Sequence, residues 1–251
     1  MNRDGYDAAL FEPMAEVEPR SFWYRARNRL LVSTLRRRFA GFESLLEIGC
    51  GGGFVLAAIR DAFPAARLVG GELYDEALEI ARSRGLPGVE LLELDARDLP
   101  YENEFDVVCA FDVIEHIEDD TLVLRQMHRA ARPGGGVVVT VPQHPWLWDD
   151  FDRLVEHKRR YTRRELAAKV SRAGFEVVEL TSFVTTLLPA MVASRFTRRL
   201  LRRPYNLMRD LDPGPLNRPF ERILDGERRL IERGVSLPFG GSLLIVARKP
   251  S

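Results

Sequence analysis

The chain has 251 residues, 45% apolar and 29% charged, the composition of a globular protein long enough to bury one large core and carry an elaboration. Its 37 basic residues balance 37 acidic ones, so no global charge argues for nucleic acid. Cys50 and Cys109 are too few for a disulfide framework, and no stretch reads as a secretion signal or an apolar membrane span, which together point to a cytoplasmic protein.

Residues 1–19 are acidic, punctuated by proline and without periodicity, and read as a mobile arm. Ser21 to Phe39 read as a helix, because Phe22, Trp23, Ala26, Leu30, Leu31, Thr34 and Leu35 recur at helical spacing. The next stretch organises the rest of the chain. Leu45-Leu46-Glu47-Ile48 breaks into Gly49-Cys50-Gly51-Gly52-Gly53 and resumes as Phe54 to Ile59, a pattern of buried strand, tight turn and helix start. Glycine lets the backbone approach a ligand with no Cβ in the way, and the helix aims its unpaired N–H groups at whatever lies over the turn. Phe54 stands where the dinucleotide fingerprint needs a third glycine, and no Gly-Lys-Ser/Thr follows for a phosphate loop. What remains is acidic-x-G-x-G-x-G on Glu47, Gly49, Gly51 and Gly53.

Ala66 to Glu72 reads as a second strand ending in a carboxylate, followed by a helix from Asp75 to Arg84. Glu72 lies about twenty residues past the turn, where a doubly wound fold places an acid for two ribose hydroxyls; the plainer role is an N-terminal charge for the next helix. Val89 to Leu94 is a third strand, ending at Asp95-Ala96. Phe105 to Asp112 is a fourth, with Val113 to Ile117 crossing its carboxyl end. Ligands of open α/β sheets bind beyond the carboxyl ends at the switch point, so Phe111, Asp112 and His116 should face a cavity. A helix from Asp119 to Ala131 leads through Arg132-Pro133-Gly134-Gly135-Gly136 into a fifth strand, Val137 to Val141.

In this order and spacing, the acidic-x-G-x-G-x-G turn resembles motif I of the class I S-adenosylmethionine (SAM)-dependent methyltransferases. The stretch "ARPGGGVVVTVP" is similar to that family's turn and strand, usually written "L-K-P-G-G". The resemblance implies an α/β fold: a Rossmann-like, doubly wound sheet of seven mostly parallel strands, the last one antiparallel, with helices on both faces. It implies SAM as cofactor, held by Glu47, Gly49, Cys50, Gly51, Gly53, Glu72, Leu73, Asp95, Ala96 and Phe111, with Asp95 at the adenine amine. It also implies that the first long helix packs at the mouth of the site, which makes Trp23, Tyr24 and Arg27 candidate lid residues as well as candidate core.

Pro142 to Arg160 leaves the strand pattern and carries His144, Trp146, Trp148, Phe151 and His157, the aromatic loop content of a functional surface. Thr162-Arg163-Arg164-Glu165 is a capping box that opens a helix to about Arg172, and Phe175 to Leu180 is strand six. The run "H-x-R-R-Y-T-x-x-E-L" ahead of "A-G-F" resembles bacterial small-molecule methyltransferases related to the ubiquinone-biosynthesis O-methyltransferases. Residues 183–240 then read as a helical insertion before a final strand, Ser242 to Arg248. Within it, Phe183 to Met208 is apolar first and then rich in arginine with no acid until Asp210. That is the pattern of a helix in a membrane interface or of a cap over a substrate pocket, with Pro189 and Pro204 limiting its length. The expected organisation is an N-terminal arm and lid helix over 1–40, a cofactor core over 41–182, the insertion over 183–240, and the last strand over 241–251.

Methyl transfer from a sulfonium is an in-line displacement, for which a protein supplies position, a dry cavity and a base for an oxygen nucleophile. His116 is the first candidate base because it follows strand four, with His144 and His157 behind it; Asp112, Trp146 and Tyr161 join Trp23 and Tyr24 as candidate acceptor residues. His128 reads as surface or core filler. No His/Cys/Asp spacing resembles a zinc site, so no metal ligand is assigned. The expected activity is methylation of a small-molecule acceptor, hydrophobic if the insertion lies at the inner face of the membrane, by a monomer or homodimer with no nucleic-acid partner. The alternatives are another activity on the same cofactor fold, or a non-catalytic docking module.

Overall fold

The computed structural model describes residues 6–203 and 205–251, with the side chain of Arg209 also left aside. Residues 1–5 of the expected arm and Pro204, expected to limit the interfacial helix, lie outside the described residues. The chain runs α1 (Phe11–Val17), α2 (Phe22–Arg38), β1 (Ser44–Ile48), α3 (Phe54–Ala62), β2 (Arg67–Glu72), α4 (Asp75–Ser83), β3 (Val89–Glu93) and β4 (Phe105–Phe111). It continues α5 (Asp120–Ala130), β5 (Ala131–Pro142), α6 (Asp150–Leu154), α7 (Arg163–Arg172), β6 (Glu176–Phe183), α8 (Leu188–Leu200), α9 (Leu207–Leu211), α10 (Asn217–Glu232) and β7 (Ser242–Arg248).

The seven strands form one sheet in the order β3-β2-β1-β4-β5-β7-β6. All neighbours pair in parallel except β7, which is antiparallel to both β5 and β6. The chain therefore leaves β1 in one direction, through β2 and β3, and returns on its other side at β4. That reversal opens a crevice beyond the carboxyl ends of β1 and β4.

Strand periodicity builds a core on each face. Along β4, Val107, Cys109 and Phe111 join one cluster while Val108 and Ala110 join the other, and β7 alternates likewise through Leu243 to Ala247. Leu30, Leu31 and Leu35 of α2, Leu56 and Ile59 of α3, and Leu224 and Ile231 of α10 cover one face. Val123, Leu124 and Met127 of α5 and Leu166 and Val170 of α7 cover the other. Because both faces are buried at the centre of the sheet, β1, β4 and β7 read as near-continuous apolar runs, whereas the edge strands β3 and β6 are partly exposed and carry acids.

Two regions differ from the sequence reading. The stretch read as a mobile arm contains a 3₁₀ turn, Ala8–Leu10, capped by Asp7, and then α1. Seven residues are too few to show a helical period, and the order comes from packing: Phe11 stacks on Tyr6 at 4.7 Å and meets Tyr74 at 5.5 Å. The stretch read as one insertion is split in its packing. Its α10 lies on α2, with Phe220 against Phe22 and Arg25 and Arg29 paired to Glu221. By contrast, α8 has no fully buried residue. Among the described residues, no helix is long and apolar enough to cross a membrane.

Candidate active site

A cavity of about 1050 Å³ opens at the carboxyl ends of the strands and runs from the glycine turn to the inner sides of α1, α2 and α8. At one end, Gly49 and Gly51 have φ of 62° and 52°, a region open to glycine. A Cβ on Gly49 would stand 2.7 Å from Val113, whereas one on Gly51 would meet no described atom within 4 Å and would project into open space. The turn is pinned from below by Glu72, whose Oε2 accepts from Gly51 N at 2.9 Å and whose Oε1 accepts from Leu73 N at 2.7 Å and Tyr74 N at 3.2 Å. A carboxylate offers roughly four lone-pair sites, so three donors leave capacity toward the cavity. Burial pushes Glu72 above the usual carboxylate range, against the pull of those three N–H groups.

Glu47 is 2% exposed, borders the same cavity, and its Oε2 has no hydrogen-bond partner among the described residues. Burial raises its carboxyl to about 8, opposed by the charge of Arg27 and reinforced by Glu18 and Glu72. Asp95 sits further along the wall, where Arg97 holds it below its usual range through its guanidinium, at 2.8 Å, and its own N–H, also at 2.8 Å. Cys50, Leu73, Ala96 and Phe111 line the wall too. Gly53 does not: it caps α3 with φ of 75°, and a Cβ there would press on Ala81 at 3.1 Å. It serves helix packing.

These features fit SAM. An orphaned buried carboxylate suits its ammonium group, an acid with spare lone pairs suits the ribose, and the bare backbone at Gly51 admits close approach.

The other end is built from α1, α2 and the segment after β4. Trp23 and Tyr24 meet edge to face at 4.7 Å, and the Arg27 guanidinium lies 4.7 Å from one ring and 5.1 Å from the other. Arg27 Nη1 reaches Asp112 Oδ2 at 2.5 Å, and Thr140 Oγ1 donates to the same oxygen at 3.2 Å. Asp112 takes φ of 58°, the sharp bend that carries the chain from β4 across the cavity mouth. His116 packs on Tyr6 at 5.5 Å and on His157 at 4.6 Å. His157 Nδ1 lies 2.7 Å from Asp152 Oδ1, and its Nε2 lies 3.8 Å from Glu115 Oε1.

Besides Gly53, three expected site residues are not among the cavity walls. Tyr161 is fully buried: its hydroxyl donates to Asp120 Oδ2 at 2.7 Å and stands 3.3 Å from Ile114 O, so it ties the segment after β4 to α5. Trp146 is 63% exposed and lies over the ring of His144. His144 itself, with φ of 64°, forms the bend before a 3₁₀ turn and donates its N–H to Tyr161 O. An isolated parallel bridge between Gln143 and Tyr161 ties the two ends of that loop together just past β5.

Tyr6, Glu18, Glu115, Asp152 and Arg160, none of them a candidate from the sequence, line the cavity or hold its walls. Glu115 was discoverable as the acid beside His116 in the segment placed at the cavity. Asp152 carried no signal of its own, since its partner His157 approaches it only through the turn after α6. Glu115, His116 and His157 come from two distant stretches, and one possible ligand atom of each lies within 4.8 Å of the others. Spacing along the chain does not reveal that grouping, and so the sequence offers no metal ligand.

A family described as "Methyltransferase domain" matches residues 2–180. A probable SAM-dependent methyltransferase of Mycolicibacterium smegmatis is 33% identical over 160 residues, 62% of this chain and 60% of that protein, so the match spans less than two thirds of that relative. The ubiquinone biosynthesis O-methyltransferase of Pseudomonas aeruginosa is 28% identical over 189 residues, 68% of this chain and 76% of that one. Among solved structures, phosphoethanolamine N-methyltransferase 2 of Haemonchus contortus, in complex with SAM, is similar with a TM-score of 0.61 and 19% identity, covering 89% of this chain and 53% of that one. The cyclase SpnF is similar with a TM-score of 0.59 and 22% identity, covering 100% and 88%. At these identities the structural likenesses establish the fold, which hosts more than one chemistry. With the acidic-x-G-x-G-x-G turn at the switch point of a seven-stranded sheet and a family match over most of its length, the chain belongs to the class I SAM-dependent methyltransferases.

Proposed function

We propose that the protein transfers the methyl group of SAM to a hydroxyl-bearing small-molecule acceptor with an apolar body. The observation that carries this reading is the continuity of the cavity: the glycine turn, Glu47 and Glu72 border one end, and Tyr24, His116 and His157 border the other, with no wall of described residues between them.

SAM held at the first end supplies an electrophilic methyl on a sulfonium. Glu47 would receive its ammonium group, Glu72 its ribose hydroxyls and Asp95 its adenine amine. Arg27 and Asp112 form an ion pair in the wall of the acceptor end and shape the space the acceptor would enter. The His116 and His157 end is where the acceptor proton would leave. Apolar walls from Leu187, Met191, Leu216 and Phe220 support an acceptor with a hydrophobic part, and α1 and α8 act as the cap that keeps water out. The division into lid, core and cap that the sequence suggested is retained in this reading, with α10 assigned to the core.

The outward side of α8 supports a peripheral membrane contact. Phe196, Leu200 and Leu201 are 67%, 71% and 52% exposed, and exposed Arg199, Arg202 and Arg203 flank them.

Incubation with labelled SAM and a fractionated metabolite and lipid extract tests the activity. Label is expected in one acceptor species, and His116→Ala should lower kcat by about 10²-fold with SAM affinity intact. Tight SAM binding with no labelled product from any fraction would instead favour a non-methylating use of the fold.

A further inference from the structure

The acceptor end holds a group that methyl transfer as described above does not use. Glu115 is 0% exposed, and neither carboxylate oxygen has a hydrogen-bond partner among the described residues. Leaving a buried carboxyl group without partners is costly, and such a group in a folded protein calls for a bound ion, a water or a catalytic role. Its surroundings are rich in electron-pair donors. His157 Nε2 stands 3.8 Å from Glu115 Oε1, and the His116 and His157 rings meet at 4.6 Å. All three residues border the cavity.

The geometry is close to that of a coordination site. One ligand atom from each residue lies within 4.8 Å of the other two. Bonds of about 2.1 Å to a common ion put tetrahedral ligands roughly 3.4 Å apart, a difference that side-chain rotation can close. The support behind the ligands is also built. Asp152 can only accept, so His157 Nδ1 carries the proton at 2.7 Å and its Nε2 lone pair is turned toward Glu115. Asp152 is itself fixed by Arg160 Nε at 2.7 Å and by Asp149 N at 2.9 Å. A carboxylate behind a histidine in this way orients the ring and strengthens it as a ligand.

We propose that Glu115, His116 and His157 bind a divalent cation of the zinc class, with its remaining positions open to an oxygen of the acceptor. Two imidazoles and one carboxylate suit Zn²⁺ or Co²⁺, whereas Mg²⁺ and Ca²⁺ favour all-oxygen sets. The inference rests on the proposed function and deepens it. The cation acidifies the acceptor hydroxyl, whose O–H bond breaks with loss of the proton to solvent, since the imidazole lone pairs are committed. The oxygen pair forms the new O–CH₃ bond, the S–CH₃ bond breaks with its electron pair going to sulfur, and neutral S-adenosylhomocysteine leaves.

Untagged, chelator-stripped full-length protein should take up one equivalent of Zn²⁺ in competition with a chromophoric chelator, with micromolar or tighter affinity. Co²⁺ should give visible absorption at the same stoichiometry, and Mg²⁺ should not compete. Glu115→Gln and His157→Ala should each weaken Zn²⁺ by about 100-fold, and Asp152→Asn by about 10- to 100-fold. His128→Ala should leave it unchanged. SAM affinity within about twofold of the parent in every variant verifies folding. Absence of Zn²⁺ binding at roughly 100 μM, or one equivalent retained in a His116→Ala/His157→Ala double variant, overturns the site. If the parent binds SAM but not Zn²⁺, the cation site alone fails; if it binds no SAM, the functional reading fails first.

Discussion

Glu72 joins the start of α4 to the glycine turn. The sequence offered a choice between a ribose acceptor and a charge at the start of α4, and in the structure its carboxylate accepts from Leu73 and Tyr74 at that start and also from Gly51 in the glycine turn. Glu72→Ala should therefore weaken SAM by about 2 to 4 kcal/mol, through lost ribose contacts and a loosened turn. Glu72→Gln, which keeps one acceptor oxygen, should lose less. Calorimetric titration with SAM checks this, and parent-like affinity in the alanine variant would remove Glu72 from the site. Residue-scale legibility was uneven: the strand pattern put Glu47 and Glu72 at the carboxyl ends of β1 and β2 and Asp95 just past β3, all three on the cavity wall, while Asp152 depends on a partner brought close only by a loop.

Segments after β4 and β5 are held by side-chain ties that no periodicity encodes. Tyr161 looked like an acceptor residue because it ends an aromatic loop, yet its hydroxyl clamps Ile114 and Asp120 in the interior. Tyr161→Phe should cost about 1 to 2 kcal/mol of stability, read as a lower denaturant midpoint at unchanged slope, with SAM affinity unaltered. A change in SAM affinity without a change in stability would return Tyr161 to the site. For α8, anionic vesicles are expected to co-float the protein in a salt-sensitive way, and Phe196→Glu with Leu200→Glu should abolish it. No flotation in the parent would leave α8 as a cap alone.

At the scale of the whole molecule, the cavity couples ionisation to stability. Glu47 is raised from 4.5 to about 8, with burial the main cause and Arg27 opposing; Glu18 is raised to about 7 by burial, opposed by Arg84 and Arg27. For carboxyls raised on folding, the stabilising contribution is full below 4.5 and is lost as pH rises through 7 to 8. The melting temperature of the apoprotein should accordingly fall between about pH 5 and pH 8.5, and Glu47→Gln should flatten the slope. Saturating SAM, whose ammonium group would neutralise Glu47, should flatten it too. A parent profile that does not fall over that range would show that Glu47 ionises at its ordinary value.

The sequence by itself determined the sheet, the crossovers and the glycine turn that borders the cavity. Those rest on local signals: strands buried on both faces are apolar throughout, a glycine turn is compulsory where backbone must approach a ligand, and parallel strands require the helices found between them. The tertiary structure alone decided what the cavity's acceptor end contains. It folded residues 11–17 into a helix against Tyr6 and Tyr74, laid α10 on α2 through ion pairs, and turned His144, Trp146 and Tyr161 away. It also brought His157 from the loop after α6 to Glu115 and His116. These outcomes depend on contacts between residues far apart in the chain, whose formation depends on the whole packed fold and leaves no spacing for a linear reading to find.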